Sequence, residues 1–281
     1  MNPDDGIRLA RFRELWVHTG TACNLSCEFC HEGAAPADTR LGAPAFDAIA
    51  AQLDAAAAAG VESFAFTGGE PLIHRDILRI LRHALFLRPT LVLTNGTAPF
   101  IRRPHSLAQL QGLPNAVRFR VSIDHPDEAR HDAARGFRNF RKALQGLKLL
   151  SDAGFEVGIT RLSEPGEDRP AIELRFRQLL RRQGLREDLP LVALPDLGRP
   201  GQAAHEVPAA SPGTAGPETS CMRSRMLLQR GQALTYSPCP FVDDVPSFDL
   251  GATLDAALMG PVRPLHARCN TCLTLGVDYA G

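Results

Sequence analysis

An α/β fold on a parallel sheet is what this sequence predicts, and three observations carry the prediction. Six strand-like apolar runs recur along the first two thirds of the chain, each separated from the next by a stretch of helical spacing or a turn. Strands that alternate with helices in this way return to the same sheet edge by right-handed crossovers. At 281 residues and 44% apolar, the chain is long enough to bury a full core around such a sheet.

The elements follow in order. A polar, charged start, Met-Asn-Pro-Asp-Asp-Gly-Ile-Arg, holds no apolar stretch suited to a signal peptide or a membrane span. The first strand is predicted at Leu15 to Thr19, then a helix near Pro44 to Ala59. The segment Val61 to Leu72 reads as a buried strand, Ser63 to Thr67, ending in a Gly-Gly turn, and the spacing of Ile73 to Leu85 is helical. Next come the strand Thr90 to Thr94, a short helix near Ser106 to Leu110 and the strand Val117 to Ile123. A helix near Phe137 to Ala153, the strand Glu156 to Thr160, a helix near Pro170 to Arg182 and the strand Leu189 to Leu194 complete the series. From Pro195 to Ser220, Pro, Gly, Ala and polar residues replace any hydrophobic period, as in a linker or covering loop. The tail holds a possible hairpin, Met226 to Tyr236, turning at Gly231. The expected organisation is 1-194 as the α/β unit, 195-220 as the linker and 221-281 as a cysteine-bearing extension.

Charge excludes some partners. With 31 basic and 31 acidic residues, the net charge of zero gives no global electrostatic case for nucleic acid or an anionic membrane. Seven cysteines in a chain without an export signal suggest metal binding rather than disulfides, because the cytosol keeps thiols reduced. A cytoplasmic protein is expected.

Three of these cysteines, Cys23, Cys27 and Cys30, form a C-x3-C-x2-C triplet in Thr-Ala-Cys-Asn-Leu-Ser-Cys-Glu-Phe-Cys-His, just after the first strand. Three thiolates on one short loop can hold three corners of an iron-sulfur cluster and leave one iron open to a non-protein ligand. The alternative is structural zinc, but such sites close with four ligands, and His31, directly beside Cys30, is badly placed to be the fourth. On the second strand, Gly68 and Gly69 suit a ligand edge, since glycine lets backbone approach closely, although an ordinary βα turn explains a lone Gly-Gly equally. Glu70 adds a carboxylate able to pair with an ammonium group. Further strand ends carry Thr94-Asn95-Gly96 and the pair Ser122 and Asp124, which alternate onto one face and otherwise read as turn or cap residues.

Together these residues resemble the radical S-adenosylmethionine enzymes. That signature is C-x3-C-x2-C with an aromatic residue before the last cysteine, here Phe29, followed by Gly-Gly-Glu on the second strand, here Gly68-Gly69-Glu70. The resemblance implies a partial, six-stranded TIM-like barrel that gathers its ligands at the carboxyl ends of its strands. It implies a [4Fe-4S] cluster on Cys23, Cys27 and Cys30, its open iron chelated by S-adenosylmethionine. Phe29, Gly68, Gly69, Glu70 and Asn95 would border that cofactor, with Glu70 and the glycine backbone on the methionine amino group. Ser122 and Asp124 would contact ribose or carboxylate, and Arg135 and Arg161 are the candidates for the methionine carboxylate. The implied chemistry is reductive cleavage to a 5′-deoxyadenosyl radical that abstracts hydrogen from a substrate, with flavodoxin or ferredoxin as electron donor.

The tail carries Cys221, Cys239, Cys269 and Cys272, the last two as a C-x2-C pair in Ala-Arg-Cys-Asn-Thr-Cys. Four cysteines in two groups can enclose one metal centre. They resemble the cysteine-bearing extensions of the SPASM and shorter twitch subgroups, which implies a second [4Fe-4S] cluster, although Cys239 lies farther from Gly231 than those extensions usually place it. A zinc ribbon closed by four thiolates is the alternative. A second cluster held by all four would accept an electron from a substrate radical, giving a net oxidation; held by three, it could ligate substrate. Cys30-His31-Glu32-Gly33 and Thr67 to Leu72 also resemble the molybdenum-cofactor GTP cyclase, whose tail cysteines run as a close pair and then a distant third, whereas here the close pair comes last.

About a dozen residues precede the first strand, too few for a leader-binding domain. A small metabolite is therefore the expected substrate, with net oxidation or ring formation as the reaction. The alternatives are a ribosomally made peptide delivered by a partner protein and a non-catalytic iron-sulfur or zinc protein, which would leave Gly68-Gly69-Glu70 without a purpose.

Overall fold

Side chains alternate along every strand, and in this protein one face of the sheet is apolar throughout and the other is apolar across part of its width. The computed structural model describes residues 6–198, 219–239, 246–263, 266–275 and 277. Six strands, β1 (Glu14–His18), β2 (Ser63–Thr67), β3 (Thr90–Thr94), β4 (Val117–Ser122), β5 (Glu156–Leu162) and β6 (Leu191–Leu194), lie side by side in sequence order, each parallel to the next. Leu15, Val17, Phe64, Phe66, Val92, Phe119 and Val121 point to one layer. There they meet the buried stripes of α1 (Phe46–Ala58), α2 (Ile77–Leu87), α5 (Asn139–Asp152) and α6 (Arg169–Arg182). Trp16, Ala65 and Leu91 point to the other face and form a smaller cluster with Leu41 and Met226. This second cluster spans only the β1 to β3 region and β7, whereas β4, with Arg118, Arg120 and Ser122 on its other face, alternates.

The sheet is open, a partial barrel of the predicted kind. The helices carry most of the differences from expectation. Residues 71–73 form a 3-10 turn rather than the start of a helix, and α2 begins at Ile77, from which Ile77, Ile80, Leu81, Ala84 and Leu85 bury one face. The helix expected near Phe137 to Ala153 is α5, which starts at Asn139, and before it stands a helix that the sequence reading did not place, α4 (Glu128–Arg135), ending at Gly136, whose φ of +96° a side chain would resist. The short α3 spans Pro104–Ala108.

In the tail, β7 (Ser224–Arg230) and β8 (Ala233–Ser237) realise the hairpin about Gly231. β7 runs parallel to β1 along its second edge, with Leu15 opposite Arg225 and Val17 opposite Leu227. Eight strands therefore form one sheet, in the order β6-β5-β4-β3-β2-β1-β7-β8. Two short helices follow, α7 (Leu254–Met259) and α8 (Ala267–Leu275). Most of the predicted linker 195-220 lies outside the described residues. Among the described residues, no helix is long and apolar enough to cross a membrane.

Candidate active site

Pairing between β1 and β2 does not stop at the strand ends. Thr19 N–H donates to Thr67 O at 2.9 Å, Gly69 N–H to Gly20 O at 2.9 Å and Glu70 N–H to Ala22 O at 3.1 Å, so the cysteine loop is joined to the Gly-Gly turn. The glycines permit it. A Cβ on Gly69 would stand 2.2 Å from Ala22 O, and one on Gly68, whose φ is +134°, 2.7 Å from Gly20 O. Close approach is required here, and the partner is the chain's own backbone.

Above this junction a cavity opens at the carboxyl ends of the strands. Cys23, Cys27 and Cys30 line it beside Phe29, Gly68 and Gly69, and Asn95, Ser122, Asp124, Arg135 and Arg161 close the far side. Every residue that the sequence assigned to the cofactor or its cluster faces this one space except Glu70.

Glu70 is 1% exposed, and both carboxylate oxygens are engaged by protein. Oε1 accepts from Leu72 N–H at 3.0 Å and from the Thr94 hydroxyl at 2.8 Å, and Oε2 accepts from Asn95 N–H at 2.7 Å. Burial pushes its pKa up to about 7, against the pull of these donors. The carboxylate clamps the end of β3 to that of β2. Asn95 extends the clamp to the thiols: its Nδ2 donates to Asn24 Oδ1 at 2.9 Å and approaches Cys23 Sγ at 3.8 Å, while its Oδ1 accepts from Thr97 N–H and Oγ1.

Asp124 and Arg135 form a two-point ion pair, in which Arg135 Nε and Nη2 each donate to one carboxylate oxygen. The guanidinium sits 5.3 Å from the centre of the Phe29 ring, in reach of a cation-π contact, and its charge lowers the Cys27 pKa against the larger effect of burial. Behind the pair, Asp124 N–H donates to Nδ1 of the fully buried His131 at 3.3 Å. Burial holds that imidazole neutral, with a pKa lowered to about 4.

Arg161, 2% exposed, donates both terminal nitrogens to Glu167. Its Nε and the neighbouring Thr160 Oγ1 are buried without a partner, and both residues line the cavity. Orphaned buried polar atoms mark where a polar ligand belongs. Sequence reasoning missed Thr160 and Glu167, single polar residues with no motif around them, and Asn24 and Thr97, which stand inside and directly after motifs read for their other residues. It also missed His18, whose buried Nε2 donates to the cavity-lining Glu32 at 3.0 Å while Nδ1 accepts from Gly20 N–H. His31 accepts from Leu197 N–H at 3.1 Å, tying the chain after β6 to the cysteine loop.

The donor set fits a cluster that is open at one corner. The cavity presents three soft sulfurs, and among the described residues no fourth cysteine lines it. Burial pushes Cys23 up to about 12, with Cys27 and Cys30 repelling the same charge, so the thiolates need a cationic centre among them. Among the described residues, no three His, Cys, Asp or Glu already frame a metal ion.

A second pocket lies beyond Leu197. Cys221, Cys239, Cys269 and Cys272 all line it, together with the apolar Ile7, Phe248 and Val262. Cys269 and Cys272 stand one turn apart on α8, on one helix face, and none of the four is in a disulfide. Burial raises Cys221 and pushes Cys269 up to about 11, where a charge on Cys221 adds to the effect. Four thiols around one apolar pocket suit either a cluster or zinc.

Comparison with known proteins places this geometry. The Radical SAM superfamily matches residues 17–173, more than half of the chain. An AdoMet-dependent heme synthase of Nitratidesulfovibrio vulgaris is 33% identical over 140 residues, which cover 49% of this chain and 37% of that protein. A probable GTP 3′,8-cyclase of Methanocella arvoryzae is 34% identical over 152 residues, 53% of this chain and 46% of that protein. The matched region spans less than half the length of these curated relatives. Among solved structures, Streptococcus suis SuiB bound to S-adenosylmethionine superposes with a TM-score of 0.66 at 16% identity, covering 91% of this chain and 68% of that one. The same protein bound to its precursor peptide SuiA gives 0.67 at 15%, covering 91% and 66%. At such identity the likeness is one of fold. The cysteine triplet, the Gly-Gly turn and the ends of β2 to β5 that wall the cavity fall inside the matched span, and the chain belongs to the radical SAM superfamily.

Proposed function

We propose that this protein binds a [4Fe-4S] cluster on Cys23, Cys27 and Cys30, seats S-adenosylmethionine in the strand-end cavity and carries out an oxidation or ring-forming modification of a small metabolite. One observation carries the reading: three cysteines share a single cavity with Gly68, Gly69, Ser122 and Arg161. When bound, the cluster and S-adenosylmethionine supply one-electron cleavage to a 5′-deoxyadenosyl radical able to take hydrogen from a substrate. The chain's own residues hold and shield that chemistry. Asn95 and the β2 backbone fix the loop that carries the thiols, and Asp124 fixes Arg135 over Phe29. Arg161 and Thr160 offer buried polar atoms to the ligand, while Leu25, Leu162 and Leu194 wall out water.

The tail cysteines are read as holding a second [4Fe-4S] cluster that accepts the electron left on substrate. Their convergence on one pocket supports that role, and Leu197 links the two sites: its backbone meets His31 at the first cavity and its side chain lines the second pocket. A flavodoxin or ferredoxin in the cytoplasm suits the first cluster as donor, where thiols stay reduced. Cys27→Ala tests the core of the reading. The reconstituted variant is expected to form no 5′-deoxyadenosine while keeping the tail metal, and retained turnover would falsify the assignment.

A further inference from the structure

Arg225 is 0% exposed on β7, and among the described residues its guanidinium bonds carbonyl oxygens only. Nε donates to Ala257 O at 2.7 Å, and Nη1 to Cys221 O and Ser224 O, each at 2.8 Å; Nη2 reaches Gly260 O at 3.5 Å. The contrast with the buried arginines of the first site is plain, for Arg135 has Asp124 and Arg161 has Glu167. Among the described residues no carboxylate pairs with Arg225. A guanidinium stays charged in proteins, and a charge taken out of water without a counter-ion costs several kcal/mol, only part of which carbonyl dipoles return. Its Nη1 holds the backbone of Cys221, a member of the four-cysteine pocket, and so sets the guanidinium beside that pocket. A second guanidinium, Arg268, is 1% exposed and lines that pocket.

Four thiolates around a metal centre carry net negative charge, and a cluster becomes more negative still when it gains an electron. We propose that Arg225 is the built-in counter-charge of the four-cysteine centre and raises its reduction potential, so that the centre can take up an electron. Arg225 is a positioning residue acting through Cys221. The inference rests on the second-cluster reading above.

The test is a potentiometric titration of the full-length Cys23/Cys27/Cys30→Ala chain, anaerobically reconstituted, with and without Arg225→Met or Arg225→Lys. Dithionite supplies the electron, no covalent bond changes, and the cluster alone is reduced. Iron, sulfide and zinc are measured in each preparation. Methionine keeps the volume and removes the charge. The expected result is a more negative potential in the methionine variant, by at least a tenfold change in the oxidised-to-reduced ratio or about 59 mV for one electron, with the lysine variant nearer the parent. Loss of iron from the methionine variant alone also supports the role, since lysine keeps the charge. An unchanged potential with full iron, or loss of iron from both variants, overturns the inference and leaves the second cluster standing. Zinc or no metal in the parent overturns both.

Discussion

Gly69→Ala is the perturbation that separates a glycine needed by backbone from one that merely turns a chain. An ideal Cβ there stands 2.2 Å from Ala22 O, 2.6 Å from Ala22 C and 2.7 Å from Thr21 O, all main-chain atoms that no rotamer change can move aside. Restoring ordinary contact requires the Ala22 carbonyl to retreat by roughly 1 Å or more. That displacement breaks the 3.1 Å hydrogen bond from Glu70 N–H and strains the 2.9 Å bond from Gly69 N–H to Gly20 O. Two such bonds contribute about 0.5 to 1.5 kcal/mol each, and overpacking adds about 1 to 3 kcal/mol. The expected loss is therefore about 2 to 6 kcal/mol, a large part of a typical domain's stability, unless the loop lets go first. Gly154→Ala is the control. Nothing lies within 4 Å of a Cβ there, and only its φ of +83° opposes a side chain, at about 1 to 2 kcal/mol. The assay is urea unfolding of each variant, paired with iron uptake on anaerobic reconstitution. Gly69→Ala is expected to lose more stability than Gly154→Ala, or to remain folded with iron at the first site depleted. Equal midpoints with full iron content would show that the glycine is not there for backbone contact.

Glu70→Gln is expected to destabilise the chain by about 1 to 3 kcal/mol, because an amide must turn its NH2 toward either Leu72 N–H or Asn95 N–H; an unchanged unfolding midpoint refutes the clamp. S-adenosylmethionine affinity of the same variant separates clamping from direct contact. His131 predicts an acid limb: burial lowers its folded pKa from 6.5 to about 4, so the unfolded chain takes the proton first as pH falls. Its contribution is complete above about pH 6.5 and is lost toward pH 4, about 3 kcal/mol in all. His131→Asn keeps an acceptor for Asp124 N–H and removes the titration, so urea midpoints of the metal-free variant should fall less than the parent's across that window. An identical slope refutes it.

How much of this was legible in sequence depends on the range of the interaction. The six strands were, because their buried residues write themselves as local apolar runs or as alternation such as Val117, Phe119 and Val121, and so was the cysteine triplet, whose spacing is its chemistry. α4 was not: its sequence is charged and His131 is its one buried residue, so no apolar stripe marks it, and Gly136 ends it before the helix that was expected. Glu70 shows the limit most clearly. Local sequence places a carboxylate at a strand end, but the donors that orient it come from Thr94 and Asn95, 24 and 25 residues on. The hairpin of the tail was readable from Gly231, whereas its parallel seat against β1 joins residues some 210 positions apart and leaves no periodic trace. The four tail cysteines were suspected as a set, and their meeting depends on β7, the end of β8 and α8 coming together.

The contacts around the first site close a ring, and the ring explains why the loop can wait for its metal. Backbone bonds join the cysteine loop to β2, Glu70 joins β2 to β3, and Asn95 joins β3 back to the loop through Asn24. Each side fixes an element that the next side needs. Ordering a loop residue costs about 1 to 2 kcal/mol, a sum that would fall on metal binding if the loop were loose beforehand. Here folding meets that cost in advance, so less of the affinity of three thiolates is spent on arranging them. The corollary concerns where damage propagates: breaking any side of the ring frees Cys23 from the Asn95 amide that approaches its sulfur. Variants at Gly69, Glu70 and Asn95 are therefore expected to share one phenotype, and their effects on iron retention should be markedly less than additive, because the first break already releases what the second would.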